Sequence, residues 1–177
     1  MTQMSESRWD HYKTLLSVAG IVVFLDQATK VLIRSRLKLG ETWIPLPTLI
    51  PKFQIINWQN EGSAFGITLG GRLLYIVLAV LAIGAIVYYY PRVSRQDWSL
   101  KLCLALLAGG VAGNLIDRLY QGYVTDFLSF DLQYVFNLAD VSNLLGLIVL
   151  LIGLLTEKKQ KRATMTQQPP ERNNPEK

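Results

Sequence analysis

Four blocks without a charged residue, at 14–25, 73–90, 102–116 and 141–156, limit what this chain can become. The second holds 18 residues. At ~1.5 Å per helical residue such a run covers about 27 Å, close to the ~30 Å hydrocarbon layer of a bilayer. The others, of 12, 15 and 16 residues, reach that length only by taking in an acid at one end: Asp26, Asp117 and Asp140 respectively. A lone run of that size suits a buried helix of a soluble protein. Four of them in 177 residues, joined by basic or aromatic segments, point instead to four transmembrane helices, over about 14–34, 72–90, 101–119 and 138–156. Only 18% of the residues are charged, against roughly 25% in soluble domains. Disordered, collagen-like and disulfide-rich classes are excluded.

Lysine and arginine set the expected orientation. With four spans both termini lie on one side, together with the loop between spans two and three. That side carries Arg8, Lys13, Arg92, Arg95, Lys101, Lys158, Lys159, Lys161, Arg162, Arg172 and Lys177, eleven cations. The other side carries seven: Lys30, Arg34, Arg36, Lys38, Lys52, Arg72 and Arg118. The termini are therefore expected to be cytoplasmic. The first span follows Arg8 and Lys13 like a signal peptide, but no small-x-small cleavage site comes after it, so it reads as an uncleaved anchor. Residues 157–177, basic and then rich in Pro and Asn, read as a disordered cytoplasmic tail. Residues 1–156 form a single membrane-embedded domain. Between the first two spans, Phe53-Gln54-Ile55-Ile56-Asn57-Trp58 reads as a strand, and Trp43 and Trp58 suit the membrane interface. A small outer β-sheet is expected there, with the residues from Asn60 to Gly66 as turn and loop.

This topology gathers acids at one depth. Asp26 on span one, Asp117 at the end of span three, Asp126 in the following loop and Asp140 at the start of span four all fall near the outer surface. An ionised Asp at the bilayer centre costs about 2.5–3.5 kcal/mol even on the lenient insertion scale. Four of the 13 acids at one depth therefore need a reason. Asp26 and Lys30, spaced i, i+4, are open to simple mutual neutralisation; Asp117 is open to the same with Arg118, or to locking span three to a neighbour. Asp126 and Asp140 have no cation at helical spacing. Two adjacent carboxylates share one proton: the ionised member takes a proton from water while the protonated one polarises a carbonyl. That is peptide hydrolysis without metal, serine or histidine. The chain has one histidine, His11, and one cysteine, Cys103, too few for His/Cys metal sites or Ser-His-Asp and Cys-His mechanisms, and no cofactor is expected. Asn114 and Asn137 are amides able to hold a carboxylate or a substrate backbone. Ala105, Gly109 and Gly113 form a small-xxx-small stripe on span three, with Gly110 beside it.

Five stretches carry a family resemblance: Asp26-Gln27-Ala28-Thr29-Lys30; Asn60-Glu61-Gly62-Ser63-Ala64-Phe65; Gly109-Gly110-Val111-Ala112-Gly113-Asn114-Leu115-Ile116-Asp117-Arg118; Val124-Thr125-Asp126-Phe127; and Phe136-Asn137-Leu138-Ala139-Asp140. In that order and spacing the chain resembles the lipoprotein signal peptidases (signal peptidase II), bacterial intramembrane aspartyl proteases of the inner membrane. The resemblance implies Asp126 and Asp140 as the catalytic dyad. It places Asn114, Arg118 and Asn137 at positions that support the site or contact substrate, and Asp26, Lys30, Asn60, Gly62 and Asp117 at motif positions of less direct role. It further implies a lipid-modified prolipoprotein substrate cut just before the lipidated cysteine, and inhibition by globomycin. The expected partners are that substrate, the inhibitor and membrane lipids, with no nucleic acid; the protein is expected to be a monomer. The residues themselves leave two rivals: a proton-coupled carrier, which would set its acids near mid-bilayer, and a serine–lysine protease built on Lys30 with Ser35 or Ser63.

Overall fold

Residues 8–45, 52–64, 67–68, 71–94, 96–130 and 134–167 are described in the computed structural model. In chain order they form α1 (Arg8–Arg36), β1 (Thr42–Trp43), β2 (Phe53–Asn60), β3 (Ser63–Ala64), β4 (Ile67–Thr68), α2 (Gly71–Tyr89), a 3-10 turn (Tyr90–Arg92), α3 (Trp98–Tyr120), β5 (Val124–Phe130), β6 (Tyr134–Phe136) and α4 (Leu138–Gln167). Four stretches are long and apolar enough to cross a membrane: Tyr12–Arg36, Gly71–Arg92, Trp98–Tyr120 and Leu138–Lys158. They match the four expected spans to within a few residues.

Burial runs opposite to that of a soluble protein. Phe24, Leu73, Leu81, Leu151 and Leu155 are exposed on the helices, while Asp26, Lys30, Asp117 and Asn137 are wholly enclosed. Water would drive the first set inside; acyl chains cover it instead, and the polar groups satisfy one another in the interior.

Small residues let the helices approach. A Cβ at Gly109 would lie 2.7 Å from the Val22 Cβ of α1, and one at Gly113 would lie 2.6 Å from an Asp26 carboxylate oxygen. Gly110, one step round, faces the Ala139 carbonyl and Asn143 of α4. Helix α3 is thus clasped between α1 and α4, as its stripe of small residues predicts. Toward the far end Leu15, Ile86, Tyr90, Ala105 and Ala108 close an apolar cluster.

The expected sheet is present and larger than the sequence indicated. Its antiparallel order is β1-β2-β5-β6. Strand β5 occupies the segment read as a loop after span three, so Asp126 lies on a strand. Strand β2 pairs along β5 with an irregular register between Ile55 and Trp58; beyond it Trp58 sits opposite Asp126 and Asn60 opposite Val124. Such bulges re-aim side chains. A second correction concerns the tail: α4 continues to Gln167, so 157–167 is helical rather than disordered. Its Glu, Lys, Gln, Arg and Ala are good helix formers, and no Gly or Pro interrupts them before Pro169. Phe65 and Gly66 of the expected loop, and the tail from 168 on, lie outside the described residues.

Candidate active site

The start of α4 builds one half of the site. Asn137 precedes the helix, and its side-chain oxygen accepts the Asp140 backbone N–H at 3.0 Å. An oxygen of Asp140 in turn accepts the Asn137 N–H at 3.2 Å. This reciprocal capping box satisfies two donors that a helix start leaves open, and it pins the Asp140 carboxylate to the first turn.

Asn137 bridges the two aspartates, its side chain on Asp126 and its backbone N–H on Asp140. Its Nδ2 donates to Asp126 Oδ1 at 2.6 Å and to Asn114 Oδ1 at 3.1 Å. Asn60 Nδ2 donates to the other Asp126 oxygen at 2.9 Å, reaching across the sheet diagonal from its place opposite Val124. Asn114 Nδ2 donates to Asp140 Oδ1 at 2.9 Å. Each oxygen of both carboxylates therefore has a named donor, three side-chain amides and one backbone N–H among them. Burial pushes the Asp126 carboxyl up to about 6; the Asn60 bond opposes this, the Asp140 charge adds to it, and the Asn137 bond and Lys30 oppose it more weakly. Arg118, four residues after Asn114, lies within electrostatic reach of both Asp126 and Asp140.

Beneath lies an ionic scaffold. Lys30 Nζ meets Asp26 Oδ2 at 2.8 Å, Asp117 Oδ2 at 3.0 Å and Asn114 Oδ1 at 2.9 Å, so its three hydrogens have three acceptors. Asp26 Oδ1 accepts the Ala139 N–H at 3.0 Å, which ties α1 to the turn carrying Asp140. Asp117 Oδ2 accepts the Thr125 N–H at 3.0 Å, which ties α3 to the strand carrying Asp126. Both readings of the acids as local pairs are thereby settled. Asp26 does pair with Lys30. Asp117 pairs with the same lysine, with Arg34 at 3.8 Å, and not with its neighbour Arg118, whose NH1 instead turns back to the Asn114 carbonyl at 3.4 Å. A lysine so engaged has all three of its hydrogens committed to these acceptors.

The family described as Signal peptidase (SPase) II matches residues 18–156. The chain belongs to the signal peptidase II family. A lipoprotein signal peptidase of Halothermothrix orenii is 40% identical over 142 residues, covering 80% of this chain and 95% of the relative. One of Desulfitobacterium hafniense is 36% identical over 146 residues, covering 82% and 95%. A solved bacterial membrane enzyme superposes with a TM-score of 0.72 at 30% identity, covering 84% of this chain and 91% of the other. A second gives 0.71 at 31%, covering 80% and 92%. As a member of the signal peptidase II family, the chain is a multi-pass membrane protease.

All ten residues singled out in the sequence lie in or beside this network, and Gly62 joins it by donating its N–H to Asn60 Oδ1 at 2.9 Å. Three further members of this network were missed. Gln27 Nε2 donates to the Gly113 carbonyl at 3.0 Å and to Asp26 and Asp117 at 3.2 Å each; Arg34 NH1 donates to Thr125 Oγ1 at 2.8 Å. Gln27 and Thr125 stand inside quoted motifs, which was a usable signal. Arg34 was counted only as an outer-side charge, and nothing in its spacing reveals a buried partner 91 residues away.

Proposed function

We propose that the protein is an intramembrane aspartyl endopeptidase that removes the signal peptide from diacylglyceryl-modified prolipoproteins, cutting just before the lipidated cysteine. The observation that carries this reading is Asn137, whose side-chain Nδ2 donates to an Asp126 oxygen and whose backbone N–H donates to an Asp140 oxygen. Two carboxylates held by one residue at the start of α4 hold one proton between them more readily than none.

The ionised carboxylate takes a proton from water as the water oxygen bonds to the scissile carbonyl carbon. The protonated carboxyl donates its hydrogen to the carbonyl oxygen. The tetrahedral gem-diol then collapses: the C–N bond breaks as the amine takes the proton that the first carboxylate drew from water, and one gem-diol hydroxyl returns its hydrogen to the other carboxylate, so that a carboxylic acid forms and the pair again holds one proton. Asn114, Asn137 and Asn60 hold the carboxylates in place, and Arg118 is the cation facing them. The lipid chains of the substrate stay in the bilayer while its signal helix lies among the spans. Holding both ends makes the attack effectively intramolecular, worth up to ~7–11 kcal/mol in ideal systems. In this reading the protein sits as a monomer in the bacterial inner membrane, with cytoplasmic termini and the site at the extracytoplasmic face.

The test is to incubate the detergent-purified protein with a precursor peptide, lipidated or not, with and without globomycin. Cleavage of the lipidated form alone, abolished by globomycin, is expected. Cleavage of neither form would contradict the reading and reopen the proton-carrier alternative.

A further inference from the structure

Tyr75 is a half-buried aromatic in the first turns of α2, inside an apolar run where its hydroxyl has no need to be. That hydroxyl nevertheless donates to the Gly62 carbonyl. Gly62 follows strand β2 with φ +90, and a Cβ there would run into the Tyr75 ring, so both backbone conformation and space require glycine. The Gly62 N–H donates to Asn60 Oδ1 at 2.9 Å, while Asn60 Nδ2 holds Asp126 Oδ2 at 2.9 Å. On its other side the Tyr75 ring faces the Arg118 guanidinium, 5.0 Å from the ring centroid. One side chain of α2 therefore contacts two of the three groups that act on Asp126 from outside α4, the Asn60 turn and Arg118, the third being Lys30.

We propose that Tyr75 is a positioning residue for the dyad, holding Asn60 against Asp126 through the Gly62 carbonyl and keeping the Arg118 guanidinium turned toward the two carboxylates. The inference rests on the reading of Asp126 and Asp140 as the catalytic pair. A purely space-filling aromatic would be served by phenylalanine, which fills the same volume and leaves the Gly62 carbonyl without its donor. The groups facing Asp126 are Asn60 from β2, Asn137 and Asp140 from α4, Lys30 from α1 and Arg118 from α3. Loosening Asn60 removes a donor that favours the ionised form of Asp126, and a drift of Arg118 removes a favourable charge. Both changes make Asp126 hold its proton to higher pH.

The experiment compares kcat, KM and the pH profile of kcat/KM for the wild-type protein, Tyr75→Phe, Asn60→Ala and the double variant, using a lipidated precursor peptide, with thermal unfolding recorded for each. Asp126→Asn serves as the control on the dyad. Tyr75→Phe is expected to lower kcat roughly tenfold, the scale of one lost hydrogen bond, with KM within about twofold. It should also move the alkaline limb to higher pH. In the Asn60→Ala background the same change should move the limb no further. A Tyr75→Phe profile that superimposes on wild type, or is only less heat-stable with an unmoved limb, overturns the proposal, as do fully independent effects in the double variant. An active Asp126→Asn enzyme would instead break the dyad reading beneath it. An inactive Asp126→Asn enzyme beside an unchanged Tyr75→Phe enzyme would break this inference alone.

Discussion

Asp126 and Asp140 differ in their surroundings although they share Asn137. Asp126 is 2% exposed on a strand, with its carboxyl pushed up to about 6, whereas Asp140 is partly open at a helix start. In the proposed mechanism the pair needs one proton, and with the Asp126 carboxyl pushed up to about 6 the pair gives that proton up as pH rises through this range. The account therefore predicts that kcat/KM falls as pH rises through about 6. The limb in kcat should lie higher, because bound substrate excludes water and penalises the second charge. Steady-state rates against pH with the lipidated peptide check this; a flat profile from pH 5 to 8 would contradict it. Asp126 and Asp140 stood out as candidates in the sequence because acids without a cation at helical spacing near a membrane face have few structural uses. Their partners were less legible: Thr125 and Arg34, like Asp117 and Lys30, meet only after three helices and a strand have come together.

At the scale of elements, the small-residue stripe on α3 and the ionic scaffold position α1, α4 and β5. Lys30 sits between Asp26 and Asp117, all three fully buried. Lys30→Met removes the cation and strands two enclosed carboxylates, which should cost about 3–5 kcal/mol of stability. The check is the unfolding midpoint in detergent; an unchanged midpoint would show the scaffold to be dispensable. Gly109→Val drives a branched side chain into Val22 and Ala19 of α1 and should cost about 1–3 kcal/mol. The helices were legible from their apolar length alone. Strand β5 was not, because Thr125, Asp126 and Ser129 break its apolar pattern and yet are buried. They are enclosed by the sheet and the helices above the scaffold, and a rule that sends apolar residues inward cannot anticipate that. The helical run to Gln167 was hidden by its charge, which reads as disorder when composition outweighs helix propensity.

The whole molecule wears its apolar side chains outward and encloses its ions, so its activity belongs to a membrane and its orientation decides which substrates it meets. With Cys103 as the sole cysteine, buried on α3, a Cys103→Ser protein provides a clean background for single cysteines. A cysteine placed at Lys38 should react with an impermeant thiol reagent from outside intact cells, whereas one placed at Lys158 should not. The reverse pattern would invert the topology and put the site on the cytoplasmic side.

The central claim is that Asp126 and Asp140 together perform the cleavage. Its most direct test is the single-turnover rate on a diacylglyceryl-modified precursor peptide for purified Asp126→Asn and Asp140→Asn proteins whose unfolding midpoints match the wild type. The account predicts that each loses at least about a thousandfold in rate. Either variant cleaving the lipidated peptide at a near-wild-type rate would contradict it.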